Sequence, residues 1–364
     1  MATPTLPRTP EPADAAPQGA AAPLPRFTVR NLGPNWYAAV MGTAIVATAG
    51  AALPVRVPGL ALVWALSALM LVVLLAARAA HWARHGDQAR AHLDNPAVAP
   101  FYGCLSMALL AVGAATMAVG ADVIGEQAAV AVDAVLWSAG TAVGLVAAAG
   151  VPYLMITRHR IAPDGATPVW LLPLVAPMVS AATGPKLMPH LPEGQWRETL
   201  GLACLAMFGL SLLAVLAVLP VVVGRLLHHG ALPLALTPSL FLVLGPLGQS
   251  TTAVGAIADA SAYVPGGFAV LYGVPVMGFA LLWFALALAL VVRARRQGMG
   301  FAMTWWAFTF PVGTCVTGAA SLAAHTGLDA FDGLAVLAYV WLVAAWLTAG
   351  VRTARGLWDG SLLR

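Results

Sequence analysis

Residues 305–321, WWAFTFPVGTCVTGAAS, contain the pattern that decides the predicted fold. Five of their side chains recur at intervals of four, four, three and four residues, which places them on one helical face: Trp306, Phe310, Thr314, Thr317 and Ser321. Pro311 has no amide hydrogen to donate, so the carbonyl of Ala307 loses its helical partner and a kink is expected there. The stretch therefore predicts a bent helix with an aromatic end and a hydroxyl end.

The composition of the whole chain indicates a membrane protein. Of its 364 residues, 60% are hydrophobic and 9% are charged, whereas soluble domains carry about 25% charged residues. A soluble protein of this length could not hide so much apolar surface from water. The three cysteines are widely spaced, which predicts neither a disulfide framework nor a metal site.

Ten apolar stretches have about the 20 residues needed to cross a bilayer. They lie at 35–53, 59–78, 101–119, 129–157, 169–188, 199–223, 237–257, 267–292, 302–324 and 333–351. The sequence thus predicts an all-α membrane protein with ten transmembrane helices over residues 31–355. The Ala- and Pro-rich residues 1–30 are expected to be a disordered tail, and residues 356–364 a second tail. The basic loop 78–95 could be an interfacial helix or a solvated loop.

The basic residues predict the orientation of the helices. With the N-terminus inside, fifteen of the eighteen Lys and Arg residues fall on the cytoplasmic side, as the positive-inside rule requires. We therefore expect a multi-pass protein of the cell (plasma) membrane with both termini cytoplasmic. Arg56, Lys186 and Arg197 are the three on the other side.

Hydroxyl side chains alternate between successive spans. The odd-numbered spans contain sixteen Ser and Thr residues and the even-numbered spans seven. Because lipid offers no hydrogen-bond partner, such groups turn inward or line water. The pattern predicts five helical hairpins with the odd spans around a central pore. In the alternative reading, the hydroxyls only mediate helix packing.

The faces of the odd spans supply candidate pore residues. The candidate lining groups are Thr43, Ser180, Thr183, Gln249, Ser250 and Thr314. Kinks are expected at Pro177, Pro246 and Pro311, and Phe310 would occlude the pore near the last of these. Lys186, the only lysine, is the candidate mouth charge. Such a neutral lining can accept an ion through hydroxyl and amide donors.

Several other functions lack their usual residues. No ionisable side chain lies near the middle of a span, which argues against a proton relay and against an acidic cation filter. No metal ligand set, catalytic set or cofactor motif is found, so we expect no metal, no cofactor and no catalytic residues. A membrane-embedded enzyme would need a polar set at one depth and stays a remote alternative. Basic residues confined to short loops give no indication of nucleic-acid binding.

Four motifs on odd spans resemble those of a known family. They are GPNWY at 33–37 running into MGT at 41–43, PMVSAATG at 177–184, GPLGQS at 245–250 and FTFP at 308–311. Because of these four motifs, residues 31–355 resemble the tellurite-resistance/dicarboxylate transporter family, which includes the plant slow-type anion channels.

The resemblance implies ten helices arranged as five hairpins around a pore. It implies occlusion by a phenylalanine of the ninth helix, which matches Phe310, with Phe308 as an alternative. It also implies a homotrimer and a small anionic substrate, such as malate, sulfite, a tellurite-related oxyanion, chloride or nitrate. Two functions stay open: passive anion flux, and a proton-coupled dicarboxylate or sulfite/tellurite efflux carrier.

Overall fold

The computed structural model describes residues 29–362, which form helices and turns without a β-strand. The α-helices of this part of the chain are α1 Tyr37–Ala51, α2 Leu60–Arg84, α3 Gly86–Asp94, α4 Gly103–Ala115, α5 Ala121–Ile124, α6 Glu126–Thr157, α7 Leu171–Thr183, α8 Gln195–His229, α9 Leu244–Ala260, α10 Gly266–Arg296, α11 Phe310–Thr326 and α12 Asp329–Trp358. The prediction of an all-α membrane protein is confirmed.

Within the described residues, nine helical segments are long and apolar enough to cross a membrane. They correspond to the second to tenth predicted spans. The first predicted span, 35–53, coincides with α1, whose 15 residues make it shorter than these nine. The count of ten spans therefore stays a prediction.

A 3₁₀-helical segment precedes five of the α-helices, namely α1, α4, α7, α9 and α11. These segments are Pro34–Trp36, Ala99–Tyr102, Pro168–Trp170, Leu234–Val243 and Met303–Phe308. Each contacts the next along the chain. A fivefold repeat of one helical unit would produce this recurrence of local structure at one end of the bundle.

The five helices with these preceding segments form an inner layer. In the four of them that are long enough to span, 72–89% of the most apolar stretch is buried, against 11–28% in α2, α6, α8, α10 and α12. Almost all of α1 is buried as well. The division follows the alternation of Ser and Thr along the sequence.

Contacts between the inner helices close into a ring. The helix α1 contacts α4, α4 contacts α7, α7 contacts α9, α9 contacts α11, and α11 returns to α1. Each of α2, α6, α8, α10 and α12 packs against the inner helix that precedes it in sequence. Their exposed leucines, such as Leu62 and Leu337, suit a surface that faces lipid.

The three predicted kinks differ in kind. Pro177 lies inside α7, but Pro246 and Pro311 lie in the first turns of α9 and α11. A proline in a first turn removes no helical hydrogen bond, because the amide there has no helical partner. The expected kinks at Pro246 and Pro311 are thus replaced by a change from 3₁₀ to α-helix, which at α11 occurs at Thr309 (φ −101°, ψ −82°).

The predicted segment boundaries need small corrections. Most of the predicted tail, residues 1–28, lies outside the described residues. At the other end, α12 continues to Trp358 and so passes the predicted boundary at residue 355. The loop 78–95 contains the helix α3.

The segment before α1 is held by the end of α2. His81 Nδ1 lies 2.7 Å from the carbonyl oxygen of Val29, and the Arg78 guanidinium donates to the carbonyl of Leu32 and the hydroxyl of Tyr102. Arg78 is buried. Its role is therefore structural, in addition to its contribution to the charge asymmetry.

Close packing of α9 on α11 depends on Gly248. A Cβ at this position would overlap with the backbone of Thr314 and Cys315, and no flexible side chain is there to move aside. We expect Gly248→Ala to destabilise the protein by about 2–3 kcal/mol, as overpacking does. Unfolding followed in detergent micelles measures this.

Gly278→Ala is the matched control. Gly278 lies in α10 with open space around it, and alanine is the better helix former by about 1 kcal/mol. This variant should be as stable as the wild type or slightly more so. Equal unfolding of the two variants would contradict the packing role of Gly248.

Candidate functional site

A cavity of about 280 Å³ lies between the C-terminal halves of the five inner helices. We call it the vestibule. Its lining consists of Ile45, Thr48, Ala52, Ala111, Ala114, Val179, Ala182, Thr183, Lys186, Gln249, Thr252, Ala256, Asp259, Phe310, Thr317, Ala320, Ser321, Ala324 and His325. All five inner helices contribute, because their ring of contacts surrounds this space.

Phe310 forms the floor of the vestibule. Its side chain is 3% exposed, and it lines both the vestibule and a cavity of about 10 Å³ on its other side. The ring therefore separates a space that admits small molecules from one that holds about one water. Phe310 thus lies between the vestibule and the smaller cavity.

Beyond Phe310, apolar side chains close the axis. Two cavities of about 10 and 20 Å³ are found there, and Met41, Leu172 and Leu242 line both. We call these three residues the apolar constriction. Neither their type nor their spacing in the sequence distinguishes them from ordinary packing residues, so the sequence did not indicate it.

Two of the six predicted lining groups border the vestibule, Thr183 and Gln249. Thr43 instead accepts a hydrogen bond from Nε1 of Trp346 at 3.1 Å and donates to the carbonyl of Ala39. It therefore faces α12, outside the ring of inner helices, and does not border the vestibule.

The other three predicted groups also lie away from the vestibule. Ser180 accepts a hydrogen bond from Thr141 of α6 at 2.9 Å. Thr314 is fully buried and donates to the carbonyl of Pro311 at 2.7 Å. Ser250 donates to the carbonyl of Leu247 at 3.0 Å. Each of these hydroxyls is hydrogen-bonded within its own helix or to a neighbouring helix, which is the role that the alternative interpretation of the hydroxyl pattern gives them.

The threonines that border the vestibule donate to their own helices. Thr183 donates to the carbonyl of Val179 at 2.9 Å, and Thr317 to that of Thr314 at 3.1 Å. Thr252 and Thr317 also pair with each other at 2.8 Å. Their protons are thus already used, and an anion would meet mainly hydroxyl oxygens.

Gln249 differs from these hydroxyls. Its side chain borders the vestibule and makes no hydrogen bond with any described residue. An amide group carries two N–H donors. Gln249 is therefore the neutral side chain best placed to donate to an anion at the floor.

Three ionisable side chains border the vestibule: Lys186, Asp259 and His325. His325 Nε2 lies 3.3 Å from Oδ1 of Asp259, an ion-pair distance without hydrogen-bond alignment. Lys186 is exposed and lines the open space. The C-terminal ends of the inner helices carry partial negative charge, and the ammonium group opposes it.

A buried carboxyl group lies behind the vestibule wall. Asp133 of α6 is 1% exposed, although its place near the start of the predicted fourth span gave no indication of burial. Within residues 29–362, no group of three or more His, Cys, Asp or Glu side chains could hold a metal ion.

A ring of buried helices inside a layer of lipid-facing helices, enclosing a polar vestibule, defines an integral membrane protein of the channel and transporter class. Residues 31–354 match the voltage-dependent anion channel family, and the chain belongs to that family. The match confirms the family resemblance drawn from the four motifs.

Individual relatives align over nearly the whole chain. An uncharacterized transporter of Methanocaldococcus jannaschii is 26% identical over 343 residues, which cover 92% of this chain and 96% of the relative. Sulfite efflux pumps of Trichophyton rubrum and Arthroderma benhamiae are each 27% identical over 342 residues, which cover 88% of this chain and 89% of the relative. The family and these relatives are channels or transporters.

The revised lining can be tested with introduced cysteines. In a background with the native cysteines replaced by alanine, we expect Thr317→Cys to react with a membrane-impermeant thiol reagent applied at the vestibule. Thr314→Cys, one turn away on α11, should stay unlabelled because that position is fully buried. Mass spectrometry of the labelled protein gives the extents, and labelling of both positions would contradict the described lining.

Proposed function

We propose that this protein moves small anions across a membrane along the axis of the inner ring. The observation that carries the proposal is a vestibule with a free amide and an ammonium group, which ends at Phe310. Membership of the voltage-dependent anion channel family supports it. Flux of malate, sulfite, nitrate and chloride into proteoliposomes tests it.

The charges of the vestibule favour anions over cations. The negative charge of Asp259 is offset by the neighbouring His325. Lys186 and Gln249, by contrast, have no partner among the other residues that line the vestibule. A local positive charge raises the concentration of anions at the mouth without fixing one substrate. A cation, by contrast, would meet no ring of carboxylates of the kind that selects it.

Two barriers in series would then control passage. Phe310 closes the floor of the vestibule, and the apolar constriction closes the axis beyond it. Hydrophobic constrictions stop ions because an ion there loses its water without gaining polar partners. Phe310 is the gate in this mechanism, and Met41 supplies a flexible second barrier.

The relatives favour sulfite as one substrate. Two of them carry the name of sulfite efflux pumps, and the alternative to passive flux is a proton-coupled carrier of sulfite, tellurite or a dicarboxylate. Flux measured with and without a pH gradient separates coupled transport from a passive pore. A membrane-embedded enzyme stays the remote alternative.

The arrangement in the cell belongs to the same proposal. The distribution of basic residues supports ten spans in five hairpins with both termini cytoplasmic, in the cell (plasma) membrane. The vestibule then opens to the outside. The family resemblance supports a homotrimer in which each subunit has its own pore. Residues 1–30 and 356–364 would be cytoplasmic tails of the 31–355 transport domain.

Removing the Phe310 ring should raise anion flux. We expect Phe310→Ala to increase nitrate flux roughly tenfold, which corresponds to about 1.4 kcal/mol of barrier. Phe310→Ala combined with Met41→Ala should exceed the single variant, since the second barrier is then reduced as well. Proteoliposome flux assays provide the measurement.

Phe308→Ala is the matched control. Phe308 is also buried on the ninth span, but it packs edge-on against Phe241 at 4.9 Å between ring centroids and does not border the vestibule. Its removal should lower stability by about 3–5 kcal/mol without raising flux. A larger flux from Phe308→Ala than from Phe310→Ala would transfer the gate to Phe308.

The amide of Gln249 should matter for anions in particular. We expect Gln249→Glu to reduce nitrate flux at least tenfold, because a carboxylate in the same place repels the ion with about 1 kcal/mol or more at contact. Gln249→Met, which keeps the size but removes the donor, should reduce it less. Unchanged flux in Gln249→Glu would remove this residue from the path.

A further inference from the structure

Asp133 is buried in an unusual environment for a carboxyl group. It lies on α6 seven residues from the helix start, which is about 10 Å along the axis, and is 1% exposed. It packs against Gly113 of α4 so tightly that a Cβ there would overlap with its Oδ1. No described residue donates a hydrogen bond to that oxygen.

A buried carboxylate without a partner is strongly unfavourable, because it loses its hydration. Two conditions relieve the cost: a proton on the carboxyl group, or a cation close by. An unpaired buried polar atom in a native structure calls for such an explanation. For Asp133, the structure supplies a cation.

That cation is Lys186. One turn after Asp133, Trp137 donates to the carbonyl of Ser180 at 3.0 Å, and a Cβ on Gly184 would touch its ring. The same face of α6 therefore borders the segment that carries Lys186. The carboxyl and ammonium groups lie near enough for a Coulombic interaction, although the described residues form no direct ion pair between them within 4.0 Å.

The other elements packed against α6 bring no further charged group into direct contact with Asp133. The helices α4 and α7 carry no charged side chain. Asp122 of α5, Glu126 at the start of α6, and His190 are exposed to solvent, and among the described residues none of them forms an ion pair with Asp133 or Lys186. Tyr102, before α4, is at the opposite end of the bundle beside Arg78.

We propose that Asp133 is a proton-binding group that controls the anion affinity of Lys186. The inference rests on the proposed transport function. When ionised, Asp133 neutralises Lys186, and the vestibule attracts anions weakly. When Asp133 takes up a proton from solution, Lys186 loses its internal counter-charge and attracts an anion instead. Anion uptake therefore increases as the pH on the vestibule side falls, and proton and anion favour each other's binding.

Nitrate flux between pH 5 and 8 tests this control, since the charge of nitrate is constant over that range. Wild-type flux should rise at least about fivefold toward low pH. Asp133→Asn should show high flux at every pH, and Lys186→Gln low flux at every pH. Asp122→Asn, which removes an exposed carboxylate, should keep the wild-type pH dependence.

A second measurement does not depend on transport. Lys186 is the only lysine of the sequence, so acylation of the peptide that contains it by an amine reagent at pH 8–9 reports on its ammonium group. In Asp133→Asn the ammonium loses its stabilising carboxylate, and Lys186 should be acylated roughly fivefold faster than in the wild type. Asp122→Asn should react like the wild type.

The outcomes separate the two proposals. Absence of flux of every anion in the wild type, with faster acylation in Asp133→Asn, would reject the transport function and keep the coupling between Asp133 and Lys186. An acylation rate unchanged by Asp133→Asn would overturn the inference. So would a wild-type pH dependence of nitrate flux in folded Asp133→Asn or Lys186→Gln.

Discussion

The hydrocarbon core of a bilayer offers no hydrogen-bond partner, and the architecture follows from this constraint. Most of the buried hydroxyls and the amide of Gln249 belong to the five inner helices and the 3₁₀ segments before them. The other five long helices, α2, α6, α8, α10 and α12, present leucine and valine to lipid. The 3₁₀ segments that begin the inner helices are mostly buried in the bundle, where neighbouring chain can satisfy their backbone. Glycines such as Gly248 then let these helices approach to backbone contact.

The same constraint explains why the vestibule depends on few side chains. Threonines in the inner helices satisfy their protons on carbonyls of their own helices, as Thr183 and Thr317 do. Little donor capacity is left for a ligand. The unpaired amide of Gln249 and the ammonium of Lys186 therefore dominate the electrostatics, and a neutral hydroxyl lining contributes mainly shape. Asp133 matters because a single buried carboxyl group can offset the single ammonium group.

The sequence was a better guide to the layers than to the faces. The alternation of hydroxyls indicated which spans lie inside. Of the five residues that the intervals along the ninth span place on one face, Phe310, Thr317 and Ser321 border the vestibule, and Trp306 and Thr314 do not. Thr43 and Ser180 are hydrogen-bonded to α12 and α6 instead. Polarity was used as the criterion there, but a hydroxyl buried between two helices has the same periodicity as one that borders water.

The residues alone indicate that this is a membrane protein, in which order its spans follow, to which family it belongs and where Phe310 lies on its helix. They do so because hydropathy, helical period and motifs are local properties of the chain. The rotation of each inner helix, the apolar constriction around Met41, and the packing of α6 against the segment that carries Lys186 cannot be derived from the residues alone. These depend on how five helices pack around one axis, and that packing joins residues far apart in sequence whose types carry no mark of the contact.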